Sequence, residues 1–240
     1  MIKMFEQFVY ESKNSNLKTL TQIANKYKCN KGTECAESCG FTEYYNDYLY
    51  SIRNEVKNVL EIGVDKGKSL KMWEEFFPNA TILGLDIEDK TKYEGDRRKT
   101  YILDQSKRGD LKKFADKNVE KFDFIIDDGS HHMLDQQISF YYLFTKCLKP
   151  GGIFVIEDLH TSTVEDGKML YGSPVEINED RSNTTLHFLE NRPFKSHYLE
   201  ESECSELEDG VTDIKVIRIK NPKSQWGPHS ITSVIRKKSK

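Results

Sequence analysis

Short runs of apolar residues recur along the chain, each bounded by polar residues or glycine. The runs Asn58–Gly63, Ala80–Ile87 and Thr100–Leu103 are followed by two more, Phe122–Ile126 and Gly152–Ile156, that end abruptly at carboxylates. Continuous apolar runs of this length are typical of strands that are buried on both faces of a parallel sheet. The pattern therefore predicts five strands, with Thr100–Leu103 as the candidate for the third.

Segments with apolar residues at helical spacing separate these runs. The spacing predicts helices at Leu70–Phe77, Asp110–Asn118 and Met133–Leu148, and a helix break at Lys149–Gly152 before the fifth strand. Strands that alternate with helices form βαβ units, whose right-handed crossovers give a parallel sheet covered by helices on both faces. We therefore predict an α/β fold.

Both ends of the chain depart from this alternation. Phe5–Lys28 is predicted to form one or two helices, Asn30–Gly40 a polar loop, and Phe41–Ile52 a helix with tyrosines on one face. Near the other end, Asp213–Ile219 and Ser230–Ile235 alternate polar and apolar residues. This alternation predicts an antiparallel pair that completes one edge of the sheet.

Residues 159–209 interrupt the regular order of strands and helices. This stretch is polar, contains the turn-forming sequences YGSP and NRPF, and carries one predicted helix near Thr184–Asn191. An irregular insertion beside a ligand-binding edge usually serves as a lid or substrate loop. We thus predict a helical extension over 1–55 and one domain over 56–240 that contains this insertion.

Composition narrows the class of protein. The 240 residues are 37% apolar, which is enough to bury a core. The net charge of −3 produces no positive electrostatic field that would attract nucleic acid. No apolar run is long enough to span a membrane, and the first residues lack the features of a signal peptide. We expect a cytoplasmic protein without a nucleic-acid or membrane partner.

The five cysteines are an odd number, which favours free thiols in a reducing compartment. Three of them, Cys29, Cys35 and Cys39, lie close together in the sequence. Their spacing matches no usual zinc pattern, and buried or incidental thiols are the favoured interpretation. The role of this cluster stays open.

Ionisable residues begin where the fourth and fifth predicted strands end, in the sequences FDFIIDDGSHH and VIEDLH. These residues are Asp127, Asp128, His131 and His132 after the fourth strand, and Glu157, Asp158 and His160 after the fifth. An acidic pair at one strand end is often only a helix cap. Two pairs with histidines, at the carboxyl edge where open α/β sheets bind ligands, predict an active site.

The first predicted strand ends in a glycine-containing turn. Gly63 and Gly67 would let the main chain approach a ligand at the start of the following helix. The turn lacks the G-x-G-x-x-G spacing of dinucleotide sites. Asp86, at the end of the second strand, stands where a carboxylate accepts hydrogen bonds from ribose hydroxyls. With Asp104 after the third strand, this order indicates a nucleoside cofactor.

The order of LEIGVDKG, GLDI, LDQS, FDFIIDDGSHH, LKPGG and VIEDLH resembles class I S-adenosylmethionine methyltransferases. Among these it is similar to the metal-dependent sugar O-methyltransferases of the macrocin/mycinamicin type, over about Lys26–Thr161. The resemblance implies a Rossmann-like α/β fold with a seven-stranded, mostly parallel sheet, an antiparallel edge hairpin and helices on both faces.

The resemblance also implies roles for individual residues. The S-adenosylmethionine site would include Glu61, Gly63, Gly67, Asp86, Asp104, Gln105 and Asp127. The Mg²⁺ ligands would be Asp128, Glu157 and Asp158. A metal-bound hydroxyl loses its proton more easily, and His131, with His132 as the alternative, would be the catalytic base. For Glu61, the alternative to cofactor binding is a structural role in which it pairs with loop amides. For Asp104 and Gln105, the alternative is an ordinary surface loop.

The implied activity is metal-dependent methyl transfer to a hydroxyl of a sugar or glycosylated small molecule, with a nucleotide-sugar or glycan acceptor included. The alternatives are a methyltransferase of the cephalosporin-tailoring type that acts on a non-sugar molecule, and a catalytically silent cofactor-binding subunit. Related enzymes assemble, so we expect a homo-oligomer with the tyrosine-rich amino-terminal helices as its interface. The acceptor and the methylated hydroxyl are not predicted by the sequence.

Overall fold

The computed structural model describes residues 17–162, 178, 180–220 and 229–240. The first part of the predicted amino-terminal helices, the YGSP turn and the segment between the last two predicted strands lie outside these residues. None of the helices in the described ranges combines the length and the apolar character that crossing a bilayer requires.

Seven strands of the described chain form one sheet, in the order β3-β2-β1-β4-β5-β7-β6. The strands are β1 Asn58–Ile62, β2 Thr81–Asp86, β3 Arg98–Ile102, β4 Phe122–Asp127, β5 Leu148–Ile156, β6 Val211–Lys220 and β7 His229–Lys237. β1 to β5 pair in parallel, and β7 pairs antiparallel with both β5 and β6. The predicted mostly parallel sheet with an antiparallel edge hairpin is confirmed.

Seven α-helices accompany the sheet in the described ranges. They are α1 Leu20–Lys26, α2 Phe41–Leu49, α3 Lys68–Phe76, α4 Arg108–Lys117, α5 Met133–Tyr142, α6 Thr185–Glu190 and α7 Glu201–Gly210. A π-helical turn, Leu143–Cys147, follows α5, and short 3₁₀ turns lie at Thr91–Tyr93 and Leu159–Ser162.

Apolar side chains cover both faces of the sheet. On β4, Ile125 packs into one core cluster with Phe140 and Phe154, while Ile126 packs into the other with Trp73. Burial of both faces explains why the parallel strands have continuous apolar runs. The residues of α1 and α2 share the second cluster with β1 and α3, so the described part of the predicted extension packs against the sheet. The boundary at residue 55 stays a prediction.

The prediction was wrong about where the fifth strand begins. The α-helix ends at Tyr142 and the π-helical turn follows it, while β5 already begins at Leu148. The predicted break at Lys149–Gly152 therefore lies inside the strand, where Gly151 has a φ of 76° and the register with β4 shifts. Glycine permits this left-handed backbone, so the chain bends within the strand instead of pausing before it.

Helix α7 was not predicted. Its sequence ESECSELEDG is acidic, and only Cys204 and Leu207 are buried, which leaves almost no apolar periodicity. The helix begins with a capping box in which the side chains of Glu200 and Glu203 each accept a main-chain hydrogen bond from the other residue. The capping box and the two buried side chains stabilise this helix, although its hydrophobic pattern does not predict one.

Strand register fixes where the chemistry lies. Ile62 of β1 pairs with Asp127 of β4, which pairs with Ile156 of β5. The three strands thus end level with one another, and the residues that follow them share one edge of the sheet. The β2 end joins this edge through the hydrogen bond from the Gly63 N–H to the Leu85 carbonyl, 2.9 Å long.

Candidate active site

Two adjoining cavities open at the carboxyl edge. The larger, about 500 Å³, is lined on one side by Asp128, His131 and Asp158. The smaller, about 300 Å³, is lined by residues that follow β2 and β3 and by the start of the loop after β4. Gly63, Asp86 and Gly129 line both cavities, so one ligand of two parts can occupy them together.

The turn after β1 depends on glycine. Gly63 has a φ of 88°, and a Cβ atom on it would lie 2.0 Å from the carbonyl oxygen of Asp128. Gly67, with a φ of 64°, precedes α3 and lies against the ring of Tyr93, where a Cβ would come within 2.7 Å. Any other residue at either position would push apart the chain segments that form the cavities.

Asp86 ties this turn to the end of β2. Its Oδ2 accepts a hydrogen bond of 2.9 Å from the Val64 N–H, and its Oδ1 accepts one of 3.0 Å from the Glu88 N–H. The carboxylate lines both cavities. Asp86 is therefore fixed by the main chain at the junction of the two cavities, where the sequence predicts a ribose contact.

The third strand contributes Asp104 and Gln105, and both line the smaller cavity. Gln105 is buried, and its Nε2 donates to Asp127 Oδ2 at 2.7 Å, while its Oε1 accepts from the Ser130 N–H at 2.9 Å. Burial raises the pKa of Asp127 to about 6, against hydrogen bonds from Ser139, Gly129 and Gln105. Asp127 lines neither cavity. Its carboxylate instead positions Gln105, which lines the smaller cavity, through the hydrogen bond between them.

Asp128, His131 and Asp158 form a candidate metal centre. One ligand atom from each of the three lies within 4.8 Å of the others, and His131 Nε2 is 3.5 Å from Asp158 Oδ2. His131 and Asp158 have φ values of 60° and 56°, a left-handed backbone that is strained for residues with side chains. Strain of this kind concentrates at functional sites.

Asp158 also has a buried carboxylate oxygen that accepts no hydrogen bond from the described residues. Within the described part of the chain, its Oδ1 has no hydrogen-bond partner. A buried carboxylate oxygen costs free energy unless a donor or a cation satisfies it. The oxygen donors of Asp128 and Asp158 suit a hard divalent cation, so these residues fit the predicted metal.

Glu157 is not a member of this group of three, although Lys31 bridges it to Asp128. Its Oε2 is 2.5 Å from Lys31 Nζ, and its Oε1 accepts a hydrogen bond of 2.9 Å from the Tyr45 hydroxyl. Burial raises the pKa of Glu157 well above its usual range, although Lys31 opposes that shift. The structure thus brings Asp128 and Asp158 together with His131, whereas both carboxylate oxygens of Glu157 interact with Lys31 and Tyr45. Its role as a metal ligand stays a prediction.

Sequence reasoning missed Lys31. Its side chain is 1% exposed, and its Nζ is ion-paired with Asp128, with Glu157 and, at 3.7 Å, with Glu61. Burial alone would lower the lysine pKa, but the carboxylates of Asp128, Glu157 and Glu61 raise it well above its usual value. The available signal was the KGT sequence that begins at Lys31, which lies within the Lys26–Thr161 stretch that resembles the sugar O-methyltransferases.

Glu61 lies beneath the cavities and lines neither of them. It is fully buried, and its Oε2 accepts a hydrogen bond of 2.8 Å from Ser69 Oγ. Burial raises the pKa of Glu61 to about 7, although Lys31 opposes the shift. In this structure Glu61 links Lys31 to α3, and its predicted contact with a cofactor stays a prediction.

The three histidines have different surroundings. His131 lines the larger cavity beside the carboxylates, and His160 lines it too, with its Nδ1 3.4 Å from the Ile231 N–H. His132 is exposed at the start of α5, where its N–H donates to Ser130 Oγ at 3.2 Å. Of the two predicted bases, the structure places His131 next to the candidate metal ligands.

All five cysteines are free thiols. Cys29 and Cys39 line the larger cavity, and burial raises the pKa of Cys29 to about 12 and that of Cys39 even further. The side chains are therefore protonated thiols. Among the described residues, the cluster of Cys29, Cys35 and Cys39 forms no group with the geometry of a metal site.

Comparison with known proteins gives consistent matches. Residues 60–156 match the family model described as a methyltransferase domain. Demethylmacrocin O-methyltransferase of Streptomyces fradiae is 43% identical over 129 residues, which are 51% of this chain and 32% of that protein. L-olivosyl-oleandolide 3-O-methyltransferase of Streptomyces antibioticus is 32% identical over 183 residues, 71% of this chain and 45% of that protein.

A solved structure is similar over almost the whole chain. The MycE methyltransferase of the mycinamycin biosynthetic pathway, in complex with Mg, SAH and mycinamycin VI, has a TM-score of 0.69 and 27% identity. The match covers 94% of this chain and 56% of that one. The chain spans between about a third and a half of the length of the curated relatives named above. The predicted resemblance to macrocin/mycinamicin-type sugar O-methyltransferases, and the class I methyltransferase fold, are confirmed.

Proposed function

We propose that this chain is an S-adenosylmethionine-dependent O-methyltransferase that requires a divalent cation and acts on a hydroxyl of a sugar or glycosylated small molecule. The observation that carries the proposal is the pair of joined cavities with Asp128, His131 and Asp158 at one end. The similarity to sugar O-methyltransferases, and to a solved structure that contains Mg and SAH, supports it.

The cofactor would span the two cavities. Its nucleoside fits the smaller cavity, where Asp86 and Asp104 offer carboxylates to the ribose and the base edge. Its amino-acid part would extend over Gly63 into the larger cavity, which His131 also lines. We call the surroundings of Asp86 and Asp104 the nucleoside side, and the group of Asp128, His131 and Asp158 the acceptor side.

The acceptor side would hold the cation through the carboxylates of Asp128 and Asp158, with Glu157 as the third predicted ligand. A bound divalent cation lowers the pKa of a hydroxyl that it contacts. His131 lines the cavity next to Asp158, so its imidazole can accept the hydroxyl proton as the oxygen takes the methyl group. Asp158, whose Oδ2 is 3.5 Å from His131 Nε2, would hold the imidazole in place.

A methyl-transfer assay tests this function. The protein is incubated with S-adenosylmethionine labelled in its methyl group and with a panel of nucleotide-sugars, glycans and glycosylated small molecules. We expect label transfer to some glycosylated acceptors in Mg²⁺, loss of transfer in excess chelator and recovery on adding Mg²⁺ back. Calorimetry of cofactor binding accompanies the assay, since the cofactor affinity should stay nearly constant when the cation is removed.

Two results would contradict the proposal. Full transfer in excess chelator would remove the cation from the reaction, and absence of cofactor binding would remove the methyl donor. The matched control is Asp116→Asn, because Asp116 is an exposed carboxylate on α4 that pairs with Lys112 and Lys146 far from both cavities. This variant should retain the activity of the wild-type protein and its dependence on Mg²⁺.

A further inference from the structure

A lysine ammonium lies at the centre of the carboxylate cluster. Lys31 Nζ is ion-paired with Asp128 Oδ2, with Glu157 Oε2 at 2.5 Å and with Glu61 Oε1 at 3.7 Å. The side chains of Lys31, Glu61 and Glu157 are at most 1% exposed, so water screens these charges very little. Two of the three partners are candidate metal ligands.

The loop that carries Lys31 is anchored on both sides of the lysine. The Lys31 carbonyl accepts a hydrogen bond of 3.0 Å from the Thr42 N–H. The carbonyls of the two neighbouring residues accept hydrogen bonds from Cys39, at 2.7 Å, and Gly40, at 3.0 Å. These bonds fix the loop against the start of α2, so the lysine reaches the sheet edge from a defined position.

Glu157 is fixed from its other side as well. The Tyr45 hydroxyl, on α2, donates to Glu157 Oε1 at 2.9 Å and lies 2.6 Å from Thr232 Oγ1 of β7. Thr232 Oγ1 in turn donates to the Ile156 carbonyl at 3.0 Å. Lys31 and Tyr45 thus occupy both oxygens of one predicted metal ligand, and Lys31 also binds a second.

We propose that Lys31 is a positioning residue that supplies a built-in positive charge to Asp128 and Glu157 and competes with the divalent cation for them. The proposal rests on the proposed function, because it concerns the cation of that same site. The single ammonium charge offsets part of the negative charge of these carboxylates and keeps them in place whenever the divalent cation leaves. Since both are positive and share Asp128 and Glu157, each weakens the binding of the other.

Replacement of Lys31 by methionine separates this role from a purely structural one. In chelator, Lys31→Met leaves two buried carboxylates, Glu61 and Glu157, and the partly exposed Asp128 without their cation, so its Tm should lie at least about 5 °C below that of the wild-type protein. Mn²⁺ should then raise the Tm of the variant more than that of the wild type. In titrations followed by electron paramagnetic resonance, the variant should bind Mn²⁺ about tenfold more tightly.

Two controls accompany the variant. Lys31→Arg keeps a positive charge at the same place and should respond to Mn²⁺ like the wild-type protein. Lys112→Met removes an exposed lysine that pairs with Asp116 on α4 and should change neither the Tm in chelator nor the Mn²⁺ affinity. If Lys31→Met fails to fold, the double variant Lys31→Met/Glu61→Gln takes its place, because it removes one buried carboxylate together with the lysine. Its Tm and Mn²⁺ affinity are then compared with those of Glu61→Gln alone.

The outcomes separate this proposal from the proposed function. Equal or weaker Mn²⁺ binding by Lys31→Met, with Mn²⁺ binding intact in the wild type, would overturn the competition and leave the metal-dependent activity standing. Mn²⁺ binding by the variant but not by the wild type would support the competition and contradict the metal requirement. No Mn²⁺ binding by either protein would contradict both proposals.

Discussion

The nucleoside side and the acceptor side of the site are held by different kinds of interaction. On the nucleoside side, main-chain N–H groups fix Asp86, and Gly63 permits a close approach of main-chain segments. On the acceptor side, carboxylates, a histidine and a buried lysine determine the positions, and Asp158 retains a buried oxygen without a hydrogen-bond partner in the described chain.

This difference has a consequence for function. Asp86 accepts hydrogen bonds from main-chain N–H groups and lies outside the charged cluster of the acceptor side, so its removal should act mainly on ligand binding. A side chain in a cluster of charges affects every other charge nearby, so its removal should change metal binding, chemistry and stability together. Substitutions on the two sides should therefore give different sets of effects.

His131 is expected to give the largest effect. His131→Ala removes the imidazole that lies beside Asp158, and kcat should fall by about a hundredfold to ten-thousandfold, the range for a positioned general base. Affinity for S-adenosylmethionine should not change, because the nucleoside side is held separately. Steady-state kinetics together with calorimetry of cofactor binding measure both quantities.

Two further variants make the assignment of His131 specific. Asp158→Ala should weaken Mn²⁺ binding, because this residue offers a carboxylate to the cation. His132→Ala should have kcat near that of the wild type, since His132 is exposed and lies outside the cavity lining. Loss of activity in His132→Ala with activity retained in His131→Ala would move the base by one residue.

Asp86 is expected to give the next largest effect, and on binding only. Asp86→Ala removes a charged acceptor at the junction of the two cavities, so cofactor affinity should fall by about 1.5 to 3 kcal/mol. At saturating cofactor, kcat should stay within a few-fold of the wild-type value. The control is Glu88→Gln, because Glu88 is a neighbouring carboxylate that is 72% exposed. Unchanged cofactor affinity in a folded Asp86→Ala protein would exclude this residue from the nucleoside side.

The fold was largely predictable because it depends on local patterns. The central strands β1, β4 and β5 are apolar on both faces where they pair, and the residues that follow them are brought to the same edge by the register. Where the local pattern is weak, the prediction failed. Acidic α7 buries two side chains only, and the start of β5 at Leu148 depends on a register shift against β4.

The site was predictable where its residues follow strands, and not where they come from the amino-terminal loop. Asp128 and Asp158 could be located because parallel strands end together. Lys31 is 97 residues from Asp128 and 126 from Glu157 along the chain, and it stands in a polar stretch that predicts a solvated loop. Only three-dimensional packing brings a lysine from such a loop into contact with three carboxylates, so periodicity and spacing gave no sign of it.

Glu61 provides the smallest test, and it links Lys31 to α3. Its Oε2 accepts from Ser69 on α3, and its Oε1 lies 3.7 Å from Lys31 Nζ. Burial raises the pKa of Glu61 from 4.5 to about 7, against the effect of Lys31. Since the folded protein binds this proton more tightly than the unfolded chain does, the contribution to stability is fully present below about pH 4.5 and is lost as the pH rises through 7.

Glu61→Gln removes this titration and should flatten the dependence of stability on pH. Between pH 5 and pH 8 in chelator, the free energy of unfolding of the wild-type protein should fall by on the order of 2 kcal/mol more than that of the variant. Urea unfolding at several pH values measures the difference, and Glu88→Gln, with its exposed carboxylate, should follow the wild type. Parallel curves for wild type and Glu61→Gln would mean that Glu61 is not buried as a proton-binding group between Lys31 and α3. The cluster of charges on the acceptor side would then end at Lys31.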